Sequence, residues 1–347
     1  MKAAILSTFP PVVCGIGQYA EQQAVSLEAS GHQVERLNIA VELGDRSWGL
    51  RANRRFRELV GKLNACDKVY VHYQVSLYQD PSWRNPCFRY LVPHLLLTYL
   101  CLRFRSRIEI IMHESTYRLY GRVPGWIQWW IAAFFFRAAP RLHFHTSHEQ
   151  AGFARVFFAK KGSTVGSPGV FYQRRSHLNK AEARLWLSLP RGERVFLCIG
   201  FFHPGKGFAE FARVFRRLHD RDVLREGDHL YIVTSVRTAS DSENQALLDS
   251  LVQEAQGCRF IHVVNRYVSD EEFDHWIVAS DFVVAPYLFG FTSSIAARAS
   301  LYDRPCILSA VGGLPEQASE RDHVYRSLME LEWILSEAVD SGRRSCT

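Results

Sequence analysis

Residues 195–208, VFLCIGFFHPGKGF, pass from five apolar residues into a turn with three glycines and then into a helical pattern. Residues 2–20, KAAILSTFPPVVCGIGQYA, follow the same course at the start of the chain. An apolar strand that leads through a glycine turn into a helix is the first half of a βα unit. Because such a unit opens each half, the sequence predicts two domains built on parallel sheets.

The rest of each half alternates short apolar runs with helical periods. The predicted strands are 2–7, 33–39, 68–72, 108–112 and 141–145 in the first half, and 195–199, 229–234, 259–264, 282–285 and 306–308 in the second. Strands that alternate with helices of ten or more residues favour parallel, doubly wound sheets. We therefore expect an α/β protein with two Rossmann-like doubly wound domains that face each other across a cleft.

A polar, charged stretch with Pro190 and Gly192 interrupts this alternation between residues 172 and 194. The chain has 347 residues, a length that suits two domains of common size. We predict an N-terminal domain over 1–172, a linker over 173–194 and a C-terminal domain over 195–347.

The eight cysteines include no CxxC pair and no histidine partner at metal-ligand spacing, and several lie in apolar runs. This pattern is typical of reduced core thiols, and it predicts no metal site. The first residues, MKAAILSTFPP, lack the long apolar segment of a signal peptide and fit a first strand better. We expect a cytoplasmic protein.

The formal charge is +7, and only seven of the 42 basic residues are lysines. Phosphate-rich small molecules, anionic lipid headgroups and nucleic acid all attract a cationic surface, so the charge alone leaves the three open.

Two apolar stretches, 91–102 and 126–136, are shorter than the roughly 20 residues that a membrane span needs. The second, WIQWWIAAFFF, is flanked by Arg122, Arg137 and Arg141. Tryptophan beside arginine is typical of a helix on a bilayer surface, whereas a buried crossover helix would have the same apolar composition. Both readings stay open, and the first would make the protein peripheral on the inner face of the membrane.

Three segments have the composition of anion sites. Gly15 and Gly17 end a loop over 10–17 that leads into the first predicted helix, 18–29, where free amides and the absence of side chains let a ligand approach the backbone. Lys206 stands at the entry to a helix after the 195–199 strand, close to His203. Each has an ordinary alternative, a structural turn for the glycines and a solvated turn lysine for Lys206.

The third segment is 285–316, in which Thr292, Ser293 and Ser294 precede a helix and a glycine turn ends at Glu316. Hydroxyls and free amides at the start of a helix suit a phosphate group. An ordinary Ser/Thr helix cap is the alternative reading.

In these motifs the sequence resembles the retaining glycosyltransferases of family 4, which have the GT-B fold. The resemblance rests on FPPVVCGIGQYA (9–20), MHE (112–114), FFHPGKG (201–207), NRYVSDEEF (265–273) and the PY…TSS…YDRP…VGGLPE series (286–316), and it spans roughly residues 3 to 316. It implies sugar transfer, with retention, from a UDP- or GDP-sugar to an acceptor hydroxyl, in bacterial-type polysaccharide or glycolipid biosynthesis. A glycan or lipid-linked acceptor and an anionic membrane surface are the partners expected, and nucleic acid is not.

The resemblance also implies roles for particular residues. Lys206 would bind the donor diphosphate, and His113 would contact the transferred sugar; we take these two as the catalytic residues. The remaining donor-binding residues that it implies are Gly15, Gly17, His203, Tyr267, Thr292, Ser293, Ser294 and Glu316.

The sequence departs from the family pattern at several positions. Gly290 and Arg298 stand where many relatives have two glutamates on the donor helix, and Phe201 stands where an arginine is usual. A non-catalytic GT-B subunit that binds a nucleotide or a partner transferase is therefore the alternative. No Asp-x-Asp lies near these motifs, so we expect metal-independent transfer. A dinucleotide oxidoreductase is disfavoured because neither glycine loop is followed, about 20 positions further on, by an acidic residue at the end of a second strand.

Overall fold

The fold of the chain was obtained as a computed structural model, which describes residues 1–12, 14–39, 50–78, 86–113, 125–237, 241–290 and 292–344. The chain forms two compact units, Met1–Phe171 and Tyr172–Thr347. Each unit is built on its own six-stranded parallel sheet.

The sheet of the first unit has the order β2-β1-β3-β4-β5-β6, and every pair of neighbours is parallel. Its strands are β1 (Lys2–Ser7), β2 (Gln33–Asn38), β3 (Lys68–Tyr73), β4 (Ile108–Met112), β5 (Leu142–Phe144) and β6 (Thr164–Val165). The described helices are α1 (Gly15–Ala29), α2 (Leu50–Asn64), α3 (Pro86–Arg103), α4 (Gly125–Ala138) and α5 (Ser147–Val156).

Both faces of this sheet are covered. Successive residues of β1 point to opposite faces, so Ala4 and Leu6 enter one core while Ile5 enters the other. The larger core receives side chains from α2, α3, α4 and α5, and the smaller one receives Ala20 and Ala24 of α1. The chain therefore changes faces between β1 and β3, and a sheet that does so leaves a crevice at the carboxyl ends of those strands.

The second sheet has the order β12-β11-β10-β7-β8-β9, also parallel throughout. Its strands are β7 (Arg194–Ile199), β8 (Asp228–Thr234), β9 (Ile261–Asn265), β10 (Phe282–Ala285), β11 (Cys306–Ser309) and β12 (His323–Tyr325). The described helices are α6 (Lys180–Trp186), α7 (Phe208–Asp220), α8 (Ser242–Ala255), α9 (Asp270–Ala279), α10 (Ser294–Leu301), α11 (Leu314–Gln317) and α12 (Leu328–Arg344).

The same reversal occurs in this unit. Helices α7, α8 and α12 pack on one face, whereas α6, α9 and α10 pack on the other. The reversal lies between β7 and β10, which are neighbours in the sheet. The loops that leave these two strands contain residues 200–207 and the described residues 286–290 and 292–293, so the fold places these segments side by side at the carboxyl edge.

The stretch predicted as a linker, 173–194, belongs to the second compact unit. It contains α6, which packs on α9. Arg184 of this helix is buried and donates hydrogen bonds to the Ala279 carbonyl at 3.0 Å and to Asp281 at 2.7 Å. Charged residues that look like solvated linker in the sequence thus hold α6 against the sheet.

The cysteines behave as the sequence predicts where the structure describes them. Six are free thiols, and all but Cys258 are buried. In the described ranges, no helix combines the length and the apolar character required to cross a membrane.

Candidate functional site

The central contact of the second unit joins Lys206 to the start of α10. Lys206 Nζ donates a hydrogen bond to the Tyr287 hydroxyl at 2.8 Å and lies 4.6 Å from the centre of that ring. The Tyr287 hydroxyl is 2.9 Å from Ser293 Oγ, and Ser293 Oγ accepts from the amide of Ile295 at 3.2 Å. One chain of hydrogen bonds therefore connects the cation to the first turn of α10.

Lys206 has no acidic partner in the part of the chain that the structure describes, where none of the ion pairs involves it. Its ammonium group lies 3.5 Å from where a Cβ on Gly200 would stand, and Gly200 has a φ of 126°. The φ of Gly200 favours glycine there, and the lysine folds back over the end of β7 in ordinary contact with this residue. A cation held at the amino end of a helix by neutral hydroxyls keeps its charge available for an anion.

Glycine at position 207 is required by close packing between the two loops. Its φ is +66°, and an added Cβ would lie 2.0 Å from the carbonyl oxygen of Pro286. The Gly205 carbonyl accepts from the amide of Leu288 at 2.9 Å, and a Cβ on Gly205 would lie 2.5 Å from the Phe289 ring. The loop that contains Lys206 is therefore fixed to the loop that leads to Ser293.

Ser293, the N-cap of α10, is also held by Gln317 at the end of α11. The Ser293 amide donates to Gln317 Oε1 at 2.8 Å, and Gln317 Nε2 donates to the Ser293 carbonyl at 3.0 Å. The Ser294 side chain forms a hydrogen bond with Tyr172 instead. Burial raises the pKa of Tyr172 to about 12, and a hydrogen bond with the Ser294 side chain opposes that rise. Ser293 thus faces the lysine, while Ser294 pairs with Tyr172.

Two further predicted residues lie at this edge. Thr292 is partly buried and directly precedes the N-cap of α10, and Glu316 is an exposed residue of α11. The sequence also missed two residues of the site, Tyr287 and Gln317. Tyr287 stands in the PY motif at 286–287, but its contact with Lys206, 81 positions away, gives it its place in the site, and Gln317 reaches Ser293 from the end of α11.

His203 caps the short 3₁₀ turn Pro204–Lys206. Its Nδ1 accepts from the amide of Gly205 at 3.0 Å, so a neutral ring has its proton on Nε2. The side chain is exposed and its ring meets Phe289 edge-on. His203 can therefore donate one hydrogen bond to a ligand beside Lys206.

Tyr267 follows β9 and is about half exposed, at 49%. Its ring stacks on Phe201 with the centroids 6.3 Å apart and the planes at 18°, and the Arg237 guanidinium lies 5.7 Å from the Phe201 centroid. These residues follow β9, β7 and β8, which are consecutive in the sheet. Two stacked rings and a guanidinium therefore lie together at the edge that also contains Lys206.

In the first unit, the two predicted glycines lie inside the first turn of α1. The sequence predicts a helix from residue 18, whereas α1 begins at Gly15 without a side-chain cap. A Cβ on Gly17 would lie 3.1 Å from Thr8 Oγ1 and 3.2 Å from its carbonyl oxygen, whereas one on Gly15 would meet nothing within 4 Å. Gly17 therefore permits close packing on the end of β1, and Gly15 leaves open space at the helix start.

His113 follows β4 and belongs to a hydrogen-bonded series. Gln23 Oε1 is 2.8 Å from His72 Nε2, and His72 Nδ1 is 2.8 Å from His113 Nε2. Because Gln23 Oε1 can only accept, His72 Nδ1 accepts from His113, and a neutral His113 has its free lone pair on Nδ1. Burial lowers the pKa of His72 to about 3 and that of His113 well below its ordinary value, so both rings are neutral at pH 7.

His145 completes a group of three histidines that surround Tyr19 at the ends of β3, β4 and β5. The Tyr19 ring lies 5.6 Å from His72, 5.3 Å from His113 and 5.3 Å from His145, edge-on to each. Burial lowers the pKa of His145 to about 4. Resemblance pointed only to His113, although a histidine at the end of each of three predicted strands is a visible pattern. Glu114, also part of that resemblance, lies outside the described residues.

Arg298 has a structural position. It is buried in α10 and donates to Asp274 Oδ1 at 2.9 Å through Nε and to the Asp270 carbonyl at 2.8 Å. Its guanidinium lies 4.0 Å from the centre of the Phe273 ring. Arg298, at a position where the resemblance implied a glutamate, thus binds α10 to α9. Within the described segments, no group of three or more His, Cys, Asp or Glu side chains is arranged to hold a metal ion.

Comparison with solved structures gives the class of fold. The chain is similar to HepE of Anabaena in complex with UDP-glucose, with a TM-score of 0.70 and 12% identity, over 99% of this chain and 91% of that one. It is similar to sucrose-phosphate synthase of Thermosynechococcus elongatus, with a TM-score of 0.69 and 16% identity, over 98% and 90%. It is also similar to the catalytic domain of starch synthase IV of Arabidopsis thaliana bound to ADP and acarbose, with a TM-score of 0.66 and 13% identity, over 98% of this chain and 91% of that one.

These neighbours are GT-B glycosyltransferases, and the chain has their fold, which confirms the predicted fold class. No protein-family model matches the sequence, and no curated protein does either.

Proposed function

We propose that this protein is a glycosyltransferase that transfers a sugar from a nucleoside-diphosphate sugar to an acceptor hydroxyl. One observation carries the proposal, the hydrogen-bonded series from Lys206 through Tyr287 to Ser293 at the amino end of α10. It provides a cation, a hydroxyl and helix amides at one point of the carboxyl edge. Those are the groups that a diphosphate requires.

The chemical demand is stabilisation of the leaving group. When the bond between the anomeric carbon and the diphosphate oxygen breaks, its electron pair stays on the phosphate, and the acceptor oxygen forms the new bond and loses its proton. Lys206 and the α10 amides would bind the charge that develops, with His203 Nε2 as a further donor. Because these groups are held by the fold before the ligand arrives, little reorganisation is needed.

The other predicted residues take neighbouring parts of the donor. We propose that the Tyr267 and Phe201 rings receive the nucleotide base and that Thr292 and Glu316 contact the donor at the same edge. In the first unit, His113 Nδ1 would accept a hydrogen bond from a hydroxyl of the transferred sugar, and the Gly15 amide would approach the donor. Retention of anomeric configuration is proposed on the family resemblance.

Structures of one neighbour support the proposed donor class. HepE has been solved with UDP, with UDP and glucose, and with UDP-glucose. We propose a UDP- or GDP-sugar as donor and a glycan or lipid-linked acceptor. Nucleoside-diphosphate sugars and the free thiols suit a cytoplasmic enzyme.

A non-catalytic, nucleotide-binding GT-B subunit is the second candidate. Arg298 favours it, because a buried arginine that is committed to Asp274 and Asp270 cannot perform the role of a glutamate toward the donor. Transfer of labelled sugar separates the two candidates, since only the enzyme releases the nucleoside diphosphate.

The test compares wild type with Lys206→Ala. UDP at about 100 times its Kd should stabilise the binding unit by about 2.7 kcal/mol and raise its melting temperature, and uridine, which lacks the diphosphate, should not. Loss of a charged hydrogen bond worth about 1.5–3 kcal/mol should weaken binding roughly 10- to 100-fold in Lys206→Ala. Lys161→Ala, which removes an exposed lysine of the first unit, is the matched control.

The same samples are assayed for sugar transfer with and without EDTA. The proposal expects activity that persists in the chelator and is lost in Lys206→Ala. It is wrong if UDP, GDP and ADP leave the melting temperature of wild type unchanged, and metal independence is wrong if EDTA abolishes transfer.

A further inference from the structure

Helix α4 presents an apolar stripe to solvent. Trp126, Trp130 and Phe134 are 68%, 63% and 58% exposed, and at a spacing of four residues they share one face. The opposite face, with Ala132, Phe135 and Phe136, is buried in the core. The sequence left a surface helix and a buried crossover helix open, and the structure shows a crossover helix with one uncovered apolar face.

The neighbouring helix extends this surface. On α3, Leu95, Tyr99 and Leu102 are about half exposed and recur at intervals of four and three. Helices α3 and α4 pack against each other and connect successive strands in the same sense, so their carboxyl ends lie at the same end of the sheet. We call these six residues of α3 and α4 the two-helix apolar face.

Cations gather at the carboxyl ends of both helices. They are Arg103, Arg105, Arg137, Arg141 and Lys160. Lys160 Nζ donates to the carbonyls of Phe136 and Arg137, both at 3.0 Å, and burial together with the nearby Arg137 and Arg105 lowers its pKa.

These charges are not neutralised within the described part of the chain. None of the five cations has a carboxylate within 4.0 Å there, and α3 and α4 contain no acidic residue. Glu109, the acid nearest in sequence to Arg105, pairs with Lys68 at 2.7 Å, and Glu149, nearest to Arg141, accepts from the His145 amide at 3.0 Å. A group of uncompensated cations repels itself, and an anionic partner would offset that repulsion.

We propose that the two-helix apolar face docks on the surface of an anionic lipid bilayer. Large exposed apolar patches mark interaction surfaces, and tryptophans beside arginines suit the boundary between headgroups and acyl chains. The apolar side chains enter this boundary while the five cations meet the headgroups. The proposal goes beyond sugar transfer, because the protein would bind lipid with no donor present.

The second unit offers a matched contrast. Leu328, Met329 and Trp333 of α12 are equally exposed, with Trp333 at 58%. That helix contains Glu330, Glu332 and Glu337, and Glu332 pairs with Arg217 and Arg221. Within the described segments neither Glu330 nor Glu337 has an ion-pair partner, so an anionic surface would repel this helix. Exposure alone would make both patches bind lipid, whereas charge complementarity selects the first.

The experiment is flotation of the full chain with vesicles of phosphatidylcholine that contain 30% phosphatidylglycerol, or none. Wild type should float with the anionic vesicles, less as salt rises, and at least tenfold less with pure phosphatidylcholine. Trp130→Glu/Phe134→Glu should lower binding at least tenfold, and Arg105→Gln/Arg137→Gln should lower it about fivefold per arginine. Trp333→Glu should bind like wild type.

Three results would overturn the proposal. If the wild-type protein stays in the bottom fraction, it does not bind the bilayer. If Trp333→Glu loses as much vesicle binding as Trp130→Glu/Phe134→Glu, the loss is not specific to the two-helix apolar face. The third result comes from sedimentation velocity. If the wild-type protein does not float but is a dimer, and Trp130→Glu/Phe134→Glu is a monomer, the two-helix apolar face is a contact between two copies of the chain. Melting temperatures close to that of wild type exclude unfolding as the cause of lost binding.

Discussion

At the scale of single residues, the site of the second unit depends on neutral hydroxyls that hold a cation. Tyr287 is 5% exposed, and its hydroxyl is the link between Lys206 and Ser293. A carboxylate at this position would hold the lysine more strongly but would cancel its charge toward an anion. Tyrosine therefore positions Lys206 and leaves its charge available for a phosphate.

Tyr287→Phe tests this arrangement. The substitution retains the ring and removes one hydroxyl, which leaves Lys206 and Ser293 without their shared partner. We expect affinity for UDP to fall about five- to tenfold, since a net hydrogen bond contributes about 1 kcal/mol. Isothermal calorimetry measures the change.

Tyr231→Phe is the control, because Tyr231 is also buried in this unit but stacks on His262 instead. If both variants bind UDP as wild type does, the Tyr287 hydroxyl has no part in ligand binding.

At the scale of elements, the loop with Lys206 is fixed by what glycine allows. Gly207 has a left-handed backbone conformation, and a Cβ at this position would overlap with the Pro286 carbonyl oxygen at a distance of only 2.0 Å. Backbone cannot yield as a flexible side chain can, so any other residue separates the two loops that build the site.

Gly207→Ala should therefore lower the free energy of unfolding by about 2–4 kcal/mol, from the left-handed conformation and the overlap together. Gly61→Ala lies inside α2 with nothing within 4 Å of the new methyl, and it should raise stability by up to about 1 kcal/mol. Urea unfolding of both variants measures the two shifts. Changes of the same sign in the two variants would contradict the argument.

The sequence was a good guide to elements with strong patterns and a poor one elsewhere. Strands β1, β4 and β10 have the predicted bounds because each is an apolar run that ends in polar or turn residues. Strands β6 and β12 have only two and three residues and include exposed positions, so no apolar pattern in the sequence predicts them.

The sequence places the start of α1 three residues late because glycine disfavours helices. In the structure, Gly17 packs so closely on Thr8 that the position favours glycine inside the helix. The candidate site divides in the same way. Lys206, His203 and Ser293 are visible as residues at the ends of strands and starts of helices. Their partners Tyr287 and Gln317 are defined by contacts up to 81 residues apart in the chain, which no local pattern encodes.

At the scale of the whole molecule, buried neutral histidines couple folding to pH. In the first unit, burial lowers the pKa of His72 to about 3 and of His145 to about 4, and it lowers the pKa of His113 well below its ordinary value. An unfolded histidine has its ordinary value near 6.5. Between about pH 6.5 and pH 4 the unfolded chain therefore binds protons that the folded chain does not.

The sign follows from that difference. Stability rises with pH wherever the unfolded state binds more protons, so the free energy of unfolding should fall as the pH drops from 6.5 to 5, by up to about 1.4 kcal/mol per pH unit for each such histidine. His145→Gln removes one such histidine, so the slope of the free energy of unfolding against pH should become smaller by the contribution of about one proton. Glutamates with lowered pKa, such as Glu272, act in the same direction but only near and below pH 4.5, so the window from pH 5 to 6.5 isolates the histidines. Urea unfolding at pH 5, 6 and 7 measures the slopes, and a His145→Gln slope equal to that of wild type would show that His145 is protonated in the folded protein.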